Sequence, residues 1–191
     1  MRILDLDGPI LDGRARHYAC YSDILTGMRK TPLDIDQYWR LKRDGIPSRD
    51  ILAYSDAGDL IDDFAAHWRD LIETPSYLAL DRLQDGAAEK LAQWDDCILI
   101  TMRQDAQAVH RQLKLLRIHN CFRDIIVVSE GDKTGKIIPA AGAIWIGDTE
   151  ADALAAQAAN VRCYLVENGL RSRDYLSRLP GTIIPSIREA P

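Results

Sequence analysis

Short apolar runs recur along the chain, and most of them end in a polar residue or a glycine. They are Ile3-Leu4-Asp5-Leu6, Cys97–Thr101, Ile125–Val128, Ala143–Gly147 and Val161–Val166. Near-continuous hydrophobicity with many β-branched side chains suits strands covered on both faces, as in a parallel sheet. Between the later runs, Ala87–Trp94, Ala106–Leu116 and Ala151–Ala159 are rich in Ala, Leu, Gln and Lys and carry helical spacing. Strand alternating with helix predicts an α/β fold, a doubly wound Rossmann-like parallel sheet with right-handed crossovers. Ligands of such sheets bind outside the carboxyl ends of the strands.

The stretch from Arg14 to Pro75 breaks this rhythm. It holds no convincing strand and reads as several helices separated by Thr31-Pro32, Gly45-Ile46-Pro47 and Gly58. Trp39, Leu41, Ile51, Leu52, Leu60, Ile61, Phe64 and Trp68 fall at spacings that line helical faces. A helical block of this length is too large for a simple crossover. The expected organisation is therefore a catalytic core of residues 1–13 and 76–191 with an inserted helical cap over 14–75. An elaborate crossover packed on the sheet is the alternative.

Composition narrows the partners. Twenty-four Lys and Arg against 29 Asp and Glu leave a net charge of −5, which argues against nonspecific nucleic-acid binding. No apolar run approaches the roughly 20 residues that span a bilayer, so no membrane partner is expected. The start, Met1-Arg2-Ile3-Leu4-Asp5, reaches a carboxylate too early for a signal peptide's apolar segment. Cys20, Cys97, Cys121 and Cys163 are scattered without a CxxC pair and read as small buried hydrophobes in a reducing compartment. The expectation is a cytoplasmic protein, monomer or homodimer, that acts on a small molecule.

The chemistry concentrates in two acidic clusters. In Ile3-Leu4-Asp5-Leu6-Asp7-Gly8, two carboxylates one residue apart follow a strand, and on an ideal strand they share a side. Anions that close favour a bound cation or a raised pKa, and Gly8 lets the chain turn with its N–H groups near an anion. A plain strand-end turn is the bland alternative, since Asp and Gly are ordinary turn formers. The second cluster, Gly147-Asp148-Thr149-Glu150-Ala151-Asp152, lies between a strand and an alanine-rich helix. Helix capping explains part of it, but not the presence of a matching cluster at another strand end. Hard oxygen ligands from separate strand ends suit Mg²⁺.

Taken together, these segments resemble the haloacid dehalogenase superfamily of phosphohydrolases, in the branch with a helical cap between the first two motifs that includes phosphoglycolate phosphatases and β-phosphoglucomutases. The resemblance runs from Ile3 to about Gly169, with the motifs in the family's order. It implies that Asp5 is the nucleophile, forming an aspartyl-phosphate, and that Asp7 serves as general acid and then general base. It also implies Mg²⁺ held by the Asp5 carboxylate, the Asp7 carbonyl and the Asp148 carboxylate, with Asp152 assisting as a ligand or through water. Thr101 matches the hydroxyl position that contacts the phosphoryl group. Lys133 matches the lysine that offsets phosphoryl charge, with Lys136 as the alternative in Gly131-Asp132-Lys133-Thr134-Gly135-Lys136.

Three positions depart from the family pattern. Pro9 stands where Thr or Val is usual, removing an N–H and any hydroxyl that could orient Asp7. Met102 replaces a small or amide residue, and Pro139 would stop the helix after Lys133 early. An aspartate at position 7 favours phosphate esters over carbon–halogen bonds, because alkoxide leaving groups need a proton. In the cap, Arg43-Asp44-Gly45-Ile46-Pro47-Ser48-Arg49 looks like a specificity loop, and Arg43 or Arg49 is expected to reach the leaving group. His17, His67, His110 and His119 match no metal or triad spacing. The function so implied is Mg²⁺-dependent hydrolysis of a small phosphorylated metabolite. A phosphomutase of the same fold and a degenerate binding or regulatory homologue are the alternatives.

Overall fold

The computed structural model describes residues 1–191. From the N-terminus the chain forms β1 (Arg2–Leu4), β2 (Leu11–Asp12), α1 (Arg14–Gly27), α2 (Ile35–Arg43), α3 (Ser48–Ala53), α4 (Ile61–Leu71) and α5 (Pro75–Leu78). It continues through β3 (Arg82–Leu83), α6 (Ala87–Ala92), β4 (Cys97–Thr101), α7 (Ala106–Leu115), β5 (Asp124–Val127) and β6 (Ile144–Gly147). The last elements are α8 (Glu150–Ala158), β7 (Arg162–Val166), α9 (Arg173–Leu176) and β8 (Thr182–Ile184). No helix is long and apolar enough to cross a membrane. All four cysteines are free thiols, and three of them are buried.

The elements sort into two compact units, Met1–Asp12 with Arg82–Pro191 and Gly13–Asp81. The sequence boundaries at 13/14 and 75/76 thus move to 12/13 and 81/82. Pro75 reads as a break but instead opens α5, at the helix start where a missing N–H costs least. The chain leaves the second unit only at β3.

In the first unit, six parallel strands run in the order β5-β4-β1-β6-β7-β8. Alternate side chains serve opposite faces, which is why the strands read as unbroken apolar runs. Leu4, Leu99, Ile144 and Ile146 pack with Leu91 of α6 and Leu113 of α7 on one side. Ile3, Ile100, Trp145 and Leu165 pack with Ala153 and Ala156 of α8 and Leu176 of α9 on the other. The chain starts at β1, moves out through β4 to β5, then returns to β1's other side as β6. That reversal brings the carboxyl ends of β4, β1 and β6 together at a topological switch point. β2 and β3 pair separately as a short antiparallel ladder, Leu11 opposite Leu83.

The passage from β5 to β6 differs from expectation, because no helix forms there. Gly131, Gly135 and Gly142 take left-handed φ values of 80°, 71° and 76°, and Asp132 Oδ1 accepts the Thr134 N–H at 2.7 Å in a local turn. Successive turns displace the helical hydrogen bonds, so Pro139 has no helix to stop.

The second unit is a helical cluster around an aromatic core. Tyr21 of α1 stacks on Tyr38 of α2 at 4.2 Å, and Phe64 lies against Trp68 on α4 at 5.7 Å between ring centroids. Trp39 and Trp68 both meet the edge of His17, so they serve this core. The unit is tied at its base by Arg16 on α1, whose Nε lies 2.9 Å from Asp81 Oδ1. Both side chains are almost fully buried. Removing one partner of such a pair leaves a desolvated charge less well compensated. Asp81→Ala should therefore destabilise the protein by about 3–5 kcal/mol in urea titration, and Arg16→Met with Asp81→Leu should recover most of that loss.

Candidate active site

β1 ends at Leu4, and the next peptide stays in register because the Asp5 N–H donates to Ile146 O at 2.9 Å. The chain then turns tightly. Ile10 and Leu11 N–H both reach Leu6 O, and Gly8 N–H reaches Leu11 O. None of these bonds needs a donor at position 9, so Pro9 fits without an orphaned partner. Gly8 adopts φ 104°, and a Cβ placed there would lie 2.0 Å from Asp148 Oδ2. Only glycine allows both the left-handed turn and this approach.

Asp148 follows β6 directly, so the neighbouring strand ends bring it beside Asp5 although 143 residues separate them in the chain (148 − 5). Its Oδ2 accepts the Leu170 N–H, while Oδ1 is buried and without a hydrogen-bond partner. Gly169 closes the other side, where a Cβ would approach Asp148 Oδ2 to 2.2 Å. The Leu170 segment is anchored next door by Arg171, whose fork binds Glu150 at 2.9 and 2.7 Å.

The lysine of this site is Lys133. It leaves the turn segment after β5, is 2% exposed, and donates to Asp5 Oδ1 at 2.8 Å and Asp152 Oδ1 at 2.7 Å. Lys136 is exposed and lies outside the cluster. Asp152 does more than cap α8. Its Oδ1 also accepts Trp145 Nε1 at 3.2 Å, and its Oδ2 accepts the Asp148 N–H, the Thr149 N–H and the Thr149 hydroxyl. Asp5 contrasts with it. Oδ1 accepts from Leu6 N–H and Lys133, and Oδ2 carries no hydrogen bond.

The electrostatics follow from burial. Desolvation pushes Asp5 up to about 7 against the pull of Lys133, with Asp152 and Asp7 adding to the rise. Asp148 is likewise raised well above the usual carboxylate range by burial, Asp5 and Asp152. For Asp152 the burial effect is outweighed by Lys133 and its hydrogen bonds, which hold it below the ordinary value. Burial would lower Lys133, but Asp152 and Asp5 win and keep it protonated.

Asp7 points elsewhere. Its two oxygens accept from Arg103 Nε at 2.6 Å and Nη2 at 2.7 Å, a bidentate pair that nothing in the residues flanking either partner announces. Arg103 lies two residues beyond Thr101, which ends β4 and is 1% exposed. A lone arginine after a strand reads as solvated. The available signal was its place at the carboxyl end of the strand beside β1. Met102, between them, is 48% exposed. Arg43 ends α2 half-buried and Arg49 lies exposed in the first turn of α3, both in the second unit.

The donor set fits a hard divalent cation. One carboxylate oxygen each from Asp5, Asp148 and Asp152 lie within 4.8 Å of one another, all three residues are buried, and Asp148 Oδ1 is an acceptor with nothing to accept. Asp152 has both oxygens engaged, so Asp5 and Asp148 offer the unshared lone pairs.

This arrangement can be compared with known proteins. Residues 123–190 match the family model for HAD-hydrolase-like domains. The whole chain superposes on a haloacid dehalogenase-like hydrolase from Streptococcus pneumoniae with TM-score 0.77 at 19% identity, covering 98% of this chain and 94% of that one. The fold is that of the haloacid dehalogenase superfamily. A Lactobacillus plantarum protein assigned as a phosphoglycolate phosphatase superposes with TM-score 0.71 at 15% identity, over 98% of this chain and 95% of the other. One from Thermotoga maritima assigned as a β-phosphoglucomutase gives 0.68 at 17% identity, over 98% and 94%. No curated protein sequence matches the chain.

Metal binding should depend on pH with a definite sign. Asp5 has a folded value of about 7 against an ordinary 3.8, so its protonation favours the folded chain. That contribution is complete below pH 3.8 and is lost as pH rises through about 7. A divalent cation competes with the same protons. Thermal unfolding should show a larger Mg²⁺-induced rise in Tm at pH 8 than at pH 6, and Gly8→Ala should abolish the rise at both.

Proposed function

We propose that this chain is a Mg²⁺-dependent phosphomonoester hydrolase that acts on a small phosphorylated metabolite through an aspartyl-phosphate on Asp5. The observation that carries the reading is the asymmetry of Asp5. One oxygen is pinned by Leu6 N–H and Lys133, and the other carries no hydrogen bond, in a cluster that also holds Asp148 with its orphaned Oδ1. A nucleophile needs this combination of a fixed carboxylate and one free oxygen. The fold, shared with proteins assigned as phosphatases, supports it.

Mg²⁺, held by Asp5 and Asp148 together with the Asp7 carbonyl, would offset phosphoryl charge and keep Asp5 ionised at neutral pH. Asp5 Oδ2 attacks phosphorus as the ester P–O bond breaks, and protonated Asp7 gives its proton to the departing oxygen. Water then attacks the aspartyl-phosphate while Asp7 takes a proton from it, releasing inorganic phosphate and restoring Asp5. Lys133 and the Thr101 hydroxyl bind the phosphoryl oxygens, and Asp152 keeps Lys133 charged and aimed.

Likeness to a protein assigned as a β-phosphoglucomutase supports a second reading, in which the phosphoryl group passes to another hydroxyl rather than to water. Steady release of inorganic phosphate without formation of an isomer is the expected outcome and separates the two. With p-nitrophenyl phosphate and Mg²⁺, Asp5→Asn should lose at least about 10³-fold in phosphate release. Activity kept by that variant would exclude Asp5 as nucleophile, and an inactive wild-type chain across a panel of phosphorylated metabolites would exclude the enzyme reading.

A further inference from the structure

The two oxygens of Asp148 are not equivalent, and the backbone around them sets the difference. Oδ2 accepts the Leu170 N–H and has glycine main chain on two sides, since a Cβ at Gly8 would lie 2.0 Å from it and one at Gly169 2.2 Å. Oδ1 is buried with no hydrogen-bond partner. Leu170 belongs to the connection between β7 and α9, and that connection is tied at both ends. At one end Asn168 Nδ2 donates to Gln84 Oε1 at 3.0 Å, and Gln84 Nε2 donates to Gly8 O at 3.0 Å. At the other, Arg171 binds Glu150 in the first turn of α8, two residues beyond Asp148, with bonds of 2.9 and 2.7 Å.

We propose that residues 168–171 form a strap that makes Asp148 a one-oxygen ligand, by holding Oδ2 on the Leu170 N–H and leaving Oδ1 to the cation. The last torsion of an aspartate is soft, so a carboxylate released from such a bond can turn and give both oxygens to one ion. Mg²⁺ and Ca²⁺ respond differently to that freedom. Mg²⁺ demands near-octahedral geometry at about 2.0–2.1 Å and takes one or two carboxylates with waters. Ca²⁺ accepts about 6–8 oxygens, bidentate carboxylates among them, at about 2.3–2.6 Å. The other acids of the cluster are already committed. Asp152 has both oxygens engaged, and Asp5 Oδ1 is held by Leu6 N–H and Lys133. The strap on Asp148 therefore acts on the choice of cation as well as on its affinity.

This inference rests on the metal-dependent reading above, and calorimetric titration with MgCl₂ and with CaCl₂ tests it without turnover. Glu150→Gln combined with Arg171→Met unties one end of the strap and leaves the net charge unchanged. Asn168→Ala unties the other. In each variant Kd for Mg²⁺ should rise on the order of 10-fold, the usual cost of losing a group that orients a metal ligand. Kd for Ca²⁺ should stay within about 3-fold, because the released carboxylate offers that ion a second oxygen. The Leu170 amide should exchange its hydrogen faster in both variants with no cation present.

Equal weakening for the two ions, which loosened packing alone would give, would overturn the proposal. Binding constants that do not move, or a Leu170 amide that exchanges no faster, would do the same. Each of these outcomes leaves the hydrolase reading standing. A wild-type chain that binds neither cation would overturn the strap and the metal-dependent mechanism together, whereas one that binds Mg²⁺ and releases no phosphate would overturn the hydrolase reading alone. Were the double variant to fail to fold, Asn168→Ala and Gln84→Ala decide by the same comparison of Mg²⁺ with Ca²⁺.

Discussion

Three buried carboxylates share their space with one buried ammonium, and that imbalance governs the site. Asp5, Asp148 and Asp152 bring three negative charges against one positive charge on Lys133, which leaves two. Desolvated charge of that size must be neutralised by protons or by a cation. Within the protein the imbalance is distributed unequally. Asp152, bonded to Lys133, Thr149 and Trp145, is held below the usual carboxylate range, whereas burial drives Asp5 and Asp148 toward protonation. A divalent ion would supply the two charges that remain. Asp7 is not one of the three, and its two oxygens accept from Arg103.

The backbone around this charge is shaped to the same end. Asp5 and Asp148 can be neighbours because β1 and β6 are, with Leu4 beside Ile146. Gly8 and Gly169 bring main chain against Asp148 where any side chain would collide, and Gly147 does so against Asp152, with a Cβ 2.2 Å from its Cγ. Gln84 ties two of these segments, donating to Gly8 O at 3.0 Å and accepting from Asn168 at 3.0 Å. Water is thereby kept from Asp148, which strengthens every charge interaction in the cluster.

How much of this was legible in the sequence follows from the range of each interaction. β4 reads directly from Cys97–Thr101 because a strand buried on both faces leaves a continuous apolar imprint. β8, Thr182–Ile184, passed unread, since an edge strand of three residues leaves almost none. The acidic pairs were visible as local clusters, and the parallel fold predicted that their strand ends would face one side. The choice between Lys133 and Lys136 was not local. It depends on a turn segment whose glycines take left-handed conformations, so helical spacing gave no guide to which lysine points inward.

Arg103 shows the same limit from the other direction. Its partner lies 96 residues away, and nothing in Thr101-Met102-Arg103 distinguishes a buried fork from a solvated surface arginine. The departure at Pro9 was visible, and it removes a group that could have oriented Asp7. What the sequence could not show is that the neighbouring strand supplies another. A proline in the turn after β1 and an arginine in the loop after β4 are separate oddities along the chain. In the folded protein the first has no N–H to offer Asp7, and the second supplies two donors.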